Sequence, residues 1–301
     1  MLSAGVYSIA VLGMVIFMGY AGQPSLGHSA FMAIGAYTTA ILTTRYGASP
    51  LAAMLIGILL CLLCGVFVGL PLLRLRGFYF AAGTLAFGLL VQGILVSWFG
   101  FTKGDSGIGG IPPFSFAGID FGNRLSYYYL VWAVAVLLVL LSYNMLNSQV
   151  GRALIAIHGD EVAARSMGVN TGLWKMFAFL VSVAYAGISG SLLAHYLFFV
   201  SPSQFGVLLA AELIIMSLLA GGTGIHLVFW ATILWRFLPE LTALSGEWRS
   251  FFVGAAILVL LLVFPDGLQF LTSRRADYAP KPSSGAWVVE AREGEGKRAV
   301  E

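Results

Sequence analysis

Charge is what this sequence has least of. Only 10% of its 301 residues are charged, against 59% apolar. A soluble domain carries about 25% charged residues, so this chain could not clothe a water-facing surface, and a soluble enzyme is excluded. The net charge of +3 gives no reason to expect nucleic acid. Cysteine is nearly absent too: Cys61 and Cys64 both lie in an apolar run and suggest no disulfide framework. Their C-x-x-C spacing would need a water-exposed helix start to act as a redox pair, so they read as small packing residues. No G-x-x-x-x-G-K-[S/T] occurs, and Gly221–Gly222–Thr223–Gly224 lacks the lysine of a phosphate loop. No His, Cys, Asp and Glu stand at metal-ligand spacing. Gly104–Asp105–Ser106–Gly107 matches the short signature around a serine nucleophile. The four histidines, His28, His158, His195 and His226, are scattered and supply no base for it. The sequence therefore predicts no catalysis, no metal and no cofactor bound by the chain.

Long apolar runs are what it does have. A spanning helix needs about 20 mostly apolar residues, and the candidates are 1–20, 30–44, 50–70, 78–100, 127–147, 175–200, 206–222, 226–244 and 250–270. Of these, 30–44 and 206–222 are short. A membrane β-barrel would alternate polar with apolar residues, whereas Tyr129 to Leu141 does not. The fold class predicted is an all-α polytopic integral membrane protein of about nine transmembrane helices. A membrane domain over 1–271 carries a polar loop at 148–174. A tail at 272–301, with Pro280, Pro282 and Gly285 and mixed charge, reads as disordered.

Basic residues in short loops favour the cytoplasm. With 148–174 cytoplasmic, that side holds Arg74, Arg76, Arg152, Arg165, Lys175 and six basic residues of the tail. The outside keeps Arg45, Lys103, Arg124 and Arg249, eleven against four. The C-terminus is then cytoplasmic. Tyr127, Tyr128, Tyr129 and Trp132 are expected to anchor their helix at the outer interface. Met1 falls outside with no basic residue to orient the first helix, so a further helix is expected upstream.

Three features stand out. Between 19 and 31, Pro24 and three glycines break the helix beside Gln23, Ser25, His28 and Ser29. Irregular backbone at membrane depth survives only when buried in protein or facing a water-filled cavity. The break is either such a substrate-path element or a plain turn between two helices. The loop Gln149–Asn170 interleaves apolar residues with Arg152, Asp160, Glu161 and Arg165. Its second half starts with acids, which suits a helix N-terminus, and ends at Gly168, which suits a left-handed cap. It is either a solvated loop helix or one that small Ala163 and Ala164 would seat in a partner's groove. Finally, Glu212, Arg236 and Glu240 lie within membrane segments, where ionisable groups are costly. They form either a salt-bridge network between helices or part of the translocation path. Gly65 and Gly69 form a GxxxG step suited to packing within the chain.

Taken in order, these blocks resemble a known family. Gly19 to Phe31 followed by Ile34-Gly35-Ala36-Tyr37 is similar to the G-Y-A-G-Q-x-S-L-G-H-x-A-F…I-G-A-Y signature of branched-chain amino-acid ABC transporter permeases of the LIV type. Leu73-Arg74-Leu75-Arg76-Gly77-Phe78-Tyr79 with Thr84-Leu85-Ala86-Phe87-Gly88 resembles that family's L-R-L-R-G-x-Y and T-L-A-F-G blocks. The first of these is characteristic of M-type subunits. Thr102 to Gly107 with Gly110-Ile111-Pro112 resembles its external loop. Gly151, Arg152, Ala153 and Leu154, through Glu161, Ala163, Ala164 and Gly168, resemble its cytoplasmic coupling loop. Glu212-Leu213, Gly221-Gly222 and Phe264-Pro265-Asp266-Gly267-Leu268 match its late motifs. Ile225-His226-Leu227 departs from the family's usual Gly-Pro pair.

The resemblance implies a permease of an importer in the bacterial inner membrane, moving branched-chain amino acids or a related small polar solute such as urea or an amide. Implied partners are a periplasmic binding protein, a second permease of the homologous H type, and two cytoplasmic ATPases that use ATP and Mg. Gly151, Arg152, Glu161, Ala163, Ala164 and Gly168 would couple to the ATPases. Gln23, Pro24, Ser25, His28 and Glu212 are the translocation-path candidates. The alternative is an ion-coupled carrier, working through an intramembrane acid such as Glu212, or a channel.

Overall fold

The computed structural model describes residues 1–75, 77–116, 119–221 and 224–241. Helices dominate: α1 (Leu2–Met14) runs into a π-helical turn (Val15–Tyr20), then come α2 (His28–Arg45), α3 (Pro50–Leu72), α4 (Phe78–Ser97) and α5 (Phe99–Thr102). They are followed by α6 (Arg124–Leu146), α7 (Gln149–Gly159), α8 (Glu161–Ser166), α9 (Thr171–Leu197), α10 (Val207–Leu219) and α11 (Val228–Leu241). Among the described residues, six helices are long and apolar enough to cross a membrane: Leu2–Tyr20, Pro50–Leu72, Phe78–Ser97, Arg124–Leu146, Thr171–Leu197 and Pro202–Leu219. The chain is a polytopic helical membrane protein. Eight of the nine expected spans coincide with helices, the 18-residue α2 and the shorter Ile225–Phe237 being less apolar or shorter than the six. The expected span 250–270 and the tail 272–301 lie outside the described residues.

Helix α2 is less apolar because it carries four threonines. Lipid offers their hydroxyls no partner, so they fold back: Thr38 donates to the Ile34 carbonyl at 2.7 Å and Thr44 to the Ala40 carbonyl at 2.6 Å. Most of α2 is also buried in protein. Its neighbour α9 is the central post, packed by α1, α2 and α3. Helices in lipid gain little from hydrophobic exclusion, so close backbone approach and interhelical hydrogen bonds matter more. Both occur here. A Cβ on Gly190 would overlap the Met32 carbonyl, and one on Gly35 would overlap the Gly187 carbonyl. Thr39 donates to Ser191 Oγ at 2.9 Å, and Ser189 donates to the Val6 carbonyl at 2.7 Å, tying α2 and α1 to α9. Gly65 and Gly69 of α3 face Val183 and Phe179 of α9, and Cys61 donates to the Phe31 carbonyl at 3.3 Å. The cysteines serve as packing residues, Cys61 buried and Cys64 half-buried.

Outside this core, α3, α4 and α6 turn large apolar side chains outward, among them Leu59, Phe67, Leu90, Leu137 and Leu140. The expected aromatic anchor needs correction at one residue. Tyr129 is 70% exposed, but Tyr127 is buried and donates to the Leu192 carbonyl at 2.6 Å. Two minimal strand pairs, which the helical reading did not anticipate, close the end of the bundle opposite α7. Strand β1 (Ile108–Gly109) pairs antiparallel with β4 (Phe199–Val200), and β2 (Ser115–Phe116) with β3 (Ile119–Asp120).

Candidate functional site

The segment 148–170 folds as two helices joined at Asp160. Ser148 caps α7 by accepting from the Val150 N–H at 3.2 Å. Gly151 is buried under the end of α6, where a Cβ would overlap the Leu146 carbonyl. Helix α7 is amphipathic, burying Leu154 and Ile157 and exposing Arg152 and Ile155. Extended backbone at Asp160 ends α7, and the Asp160 carboxylate accepts from the Val162 and Ala163 N–H groups at 2.7 and 3.0 Å, starting α8. Gly168 ends the unit at φ +85, the left-handed conformation that glycine adopts without strain.

Charge then ties this unit to the central helix. Glu161 takes Lys175 Nζ at 2.7 Å on one oxygen and Arg165 at 3.1 Å on the other. Lys175 sits in the first turns of α9 with its side chain only 5% exposed, so Glu161 is the internal joint between α8 and α9. Arg165 also donates to Thr171 Oγ1 at 3.2 Å. Ala164 faces the chain's own interior and not a partner, whereas Ala163 and Gly168 are exposed. What points outward is apolar: Ile155 at 49%, Val162 at 64% and Met167 at 85% exposure. These three stand out at the polar end of the bundle.

The break follows directly after the first span and leans on α7. Gly22 has φ +67, and a Cβ there would come within 3.2 Å of His158 Nδ1. Beyond it the chain dips back into the bundle, where the Leu26 N–H donates to Thr84 Oγ1 at 3.0 Å. Thr84 lies six residues into α4, about 9 Å along the helix, so the break lies toward one end of the bundle and not at its middle. Gln23 and Pro24 are half-buried, while Ser25 and His28 are 1% exposed. Ser25 Oγ lies 3.1 Å from His28 Nδ1, and His28 packs on Phe17, which also meets Phe80 and Phe179. The four path candidates of the break therefore divide into two half-open residues and two buried ones, His28 packing on the aromatic cluster. A narrow crevice beside them is lined by Ser29, Gly88, Gln92 and Gly206; Gln92 is a polar side chain on a membrane helix that the sequence reading passed over.

The intramembrane charges form a separate cluster. Arg236 lies 4.0 Å from Glu212, and its guanidinium sits 4.6 Å over the Tyr7 ring, joining α11, α10 and α1. Glu212 and Tyr7 are both within two turns of the helix ends remote from α7, so this cluster and the break are at different depths. Glu240 falls in α11, but its side chain lies outside the described residues. No cluster of metal-ligating residues occurs among the described residues.

Against this geometry, comparison with known proteins is informative. The family model described as branched-chain amino acid transport system / permease component matches residues 1–261. The high-affinity branched-chain amino acid transport system permease protein LivM of Escherichia coli K12 is 32% identical over 89% of this chain and 68% of its own length. A tyrosine transport system permease protein of Clostridioides difficile is 29% identical, over 64% of this chain and 62% of its own. The autoinducer 2 import system permease protein LsrC of Escherichia coli O157:H7 is 27% identical, over 75% and 68%. No solved structure gives a significant match. The chain belongs to the branched-chain amino acid ABC transporter permease family, as a membrane permease component and not an enzyme.

Proposed function

We propose that the chain helps form the pore of an ATP-driven importer in the bacterial inner membrane, passing branched-chain amino acids or a related small polar solute. A periplasmic binding protein delivers the solute. A second permease of the homologous H type completes the pore, and two cytoplasmic ATPases, using ATP and Mg, drive it. The α7–α8 end and the C-terminus face the cytoplasm, where Arg74, Arg152, Arg165 and Lys175 accord with the excess of basic residues expected there.

One observation carries the reading: α7 and α8 expose apolar Ile155, Val162 and Met167 outward while Glu161 locks them inward to Lys175 of α9. The outward face is the dock for an ATPase, and Arg152, Ala163 and Gly168 belong to it. Gly151, Glu161 and Ala164 set its position. ATP-dependent closure of the ATPases moves the docked pair, and the buried ion pair passes that motion to α9. The His158–Gly22 contact passes it to the break, where Ser25 and His28 would become accessible. A ligand or a motor shifts such an equilibrium only through contacts that differ between states, and rigid helices turn a small shift into a discrete one. Glu212 and Arg236 act in this scheme as a tie between helices, with Glu240 on the same helix as Arg236.

Gly168→Val tests the coupling assignment. Valine is strained at φ +85 but meets no neighbour within 4 Å. Uptake in reconstituted vesicles is expected to vanish while membrane insertion stays normal. Undiminished ATP-driven uptake by the variant would sink the assignment. Wild-type uptake that survives an uncoupler but stops when ATP is withdrawn excludes the ion-coupled alternative.

A further inference from the structure

At the end of the bundle opposite α7 and α8, a cavity of about 440 Å³ opens between the last turn of α9 and the chain leading into α6. Its walls include Phe114, Phe121 and Tyr127, with Arg124 and His195 supplying the polar groups. The volume lies within the range of small-molecule sites, and so does this mixture of an apolar wall with few polar groups.

His195 defines the chemistry. Its Nδ1 lies 2.8 Å from the Pro112 carbonyl oxygen. A carbonyl only accepts, so Nδ1 holds the proton, and Nε2 of the neutral ring is left as an acceptor. That Nε2 is buried and has no hydrogen-bond partner, in a residue 2% exposed. An unmet buried acceptor is unfavourable, and this one belongs to a residue that borders the cavity. Phe114 packs edge-on against the imidazole at 5.3 Å and fixes its plane. The cavity is also bordered by Phe198, held at φ +56, a strained conformation for a bulky residue and one that collects at functional sites. Arg124, exposed at the start of α6, offers a permanent cation that suits a carboxylate.

We propose that this cavity receives a free α-amino acid with an apolar side chain. Its ammonium donates to His195 Nε2, its carboxylate faces Arg124, and its side chain lies among Phe114, Phe121 and Tyr127. The site rests on the importer reading above and sharpens it: the permease itself selects a zwitterion at its outer end.

The test uses the whole transporter in lipid nanodiscs without binding protein, and measures bound radiolabelled L-leucine. Competition by 4-methylpentanoate, which lacks the ammonium, and by 3-methylbutylamine, which lacks the carboxylate, should each be at least about tenfold weaker than by leucine. Arg124→Gln, on an exposed residue, should weaken leucine binding by a similar factor and erase the preference for leucine over the amine. His195→Gln should instead erase the preference over the acid. Selectivities that both variants leave unchanged overturn the cavity assignment, as does a phospholipid found occupying the cavity. Wild-type uptake of leucine in proteoliposomes with its binding protein is scored separately. If that uptake persists while the variants bind normally, the cavity proposal alone fails; if wild type shows no ATP-driven uptake of leucine or of any other small polar solute offered with its binding protein, the importer reading fails with it.

Discussion

The two ends of this bundle are built on opposite principles. At the α7–α8 end, Ser148 and Asp160 cap the short helices α7 and α8, Asn170 caps α9, and the Glu161–Lys175 pair locks α8 to α9, with apolar groups left facing out. At the other end, two-residue strand pairs and the Arg45 contact to the Gly100 carbonyl hold a loop over an aromatic-walled cavity. In the proposed scheme, one end transmits force to a partner through a stiff joint. The other encloses a space and leaves a buried acceptor in its wall. A stiff joint must be charged or hydrogen-bonded to resist sliding, because apolar contacts in lipid have little directional preference. An enclosing loop has no such need. The two ends share α9, and substitutions can separate what belongs to each.

The largest effect is expected at the shared helix. Gly190→Val places a side chain on the Met32 carbonyl at the α2–α9 crossing. Backbone cannot yield there as a flexible side chain could, so the loss should be about 3 kcal/mol. Both ends should fail together: little monodisperse protein after detergent extraction, and no uptake. A variant that extracts normally and loses only uptake would show that the crossing is looser than drawn.

Lys175→Met should break one end and spare the other. Removing one partner of a buried pair leaves the other charge poorly compensated, which costs 3–5 kcal/mol when nothing else is near. Glu161 keeps Arg165 and some exposure, so about 1–2 kcal/mol is expected here. Uptake should fall about tenfold while ATP hydrolysis by the assembled transporter continues, and the exchanged pair Glu161→Lys with Lys175→Glu should recover part of it. Leucine binding at the far cavity should be unchanged. Equal loss of hydrolysis and uptake would mean that the pair supports folding and not coupling.

The break lies near the α7–α8 end, where Gly22 meets His158. Ser25 is closed in this state while Gln23 is half open. Cysteine at 23 should react with an aqueous thiol reagent in every state. Cysteine at 25 should react several-fold faster in one nucleotide state than in another. Protection of both in all states would reduce the break to a plain turn.

How much of this was legible beforehand divides along the same line. Local features were: Asp160 and Gly168 bound α8 because capping chemistry and left-handed glycine are properties of a few adjacent residues. Six of the expected spans followed from apolar length alone, while α2 and Ile225–Phe237 fall short of it and 250–270 lies outside the described residues. Contacts between distant segments were not. Lys175 counted only as a topological charge, since nothing in its neighbourhood announces Glu161 fourteen residues earlier as its partner. Ala164 and Tyr127 were assigned outward roles, but the rotation of each helix, which periodicity leaves open in a nearly uniformly apolar run, turns both inward. His195 and Gln92 gave no signal, because a single polar residue in an apolar helix acquires meaning only from the surface it meets.

The smallest effect is expected from Arg236→Met, and it bears on what an intramembrane charge is for. Arg236 and Glu212 are 4.0 Å apart, each about one-third exposed, and Arg236 also rests on the Tyr7 ring. At that distance the pair is at the limit of an ion pair, and part of the guanidinium's attraction goes to the aromatic face, worth about 0.5–1 kcal/mol at exposed sites. Methionine keeps the apolar stem and its packing on Tyr7 while removing the charge. If the cluster only ties α1, α10 and α11 together, uptake should stay within about twofold of wild type, because the remaining packing holds the helices. If Glu212 lies on the solute path, freeing it from Arg236 changes the charge seen by the solute, and the apparent affinity should move while assembly does not. A changed KM at constant maximal rate would then place Glu212 with the break and the far cavity as a third point on one route. An unchanged KM leaves it a fastener between helices.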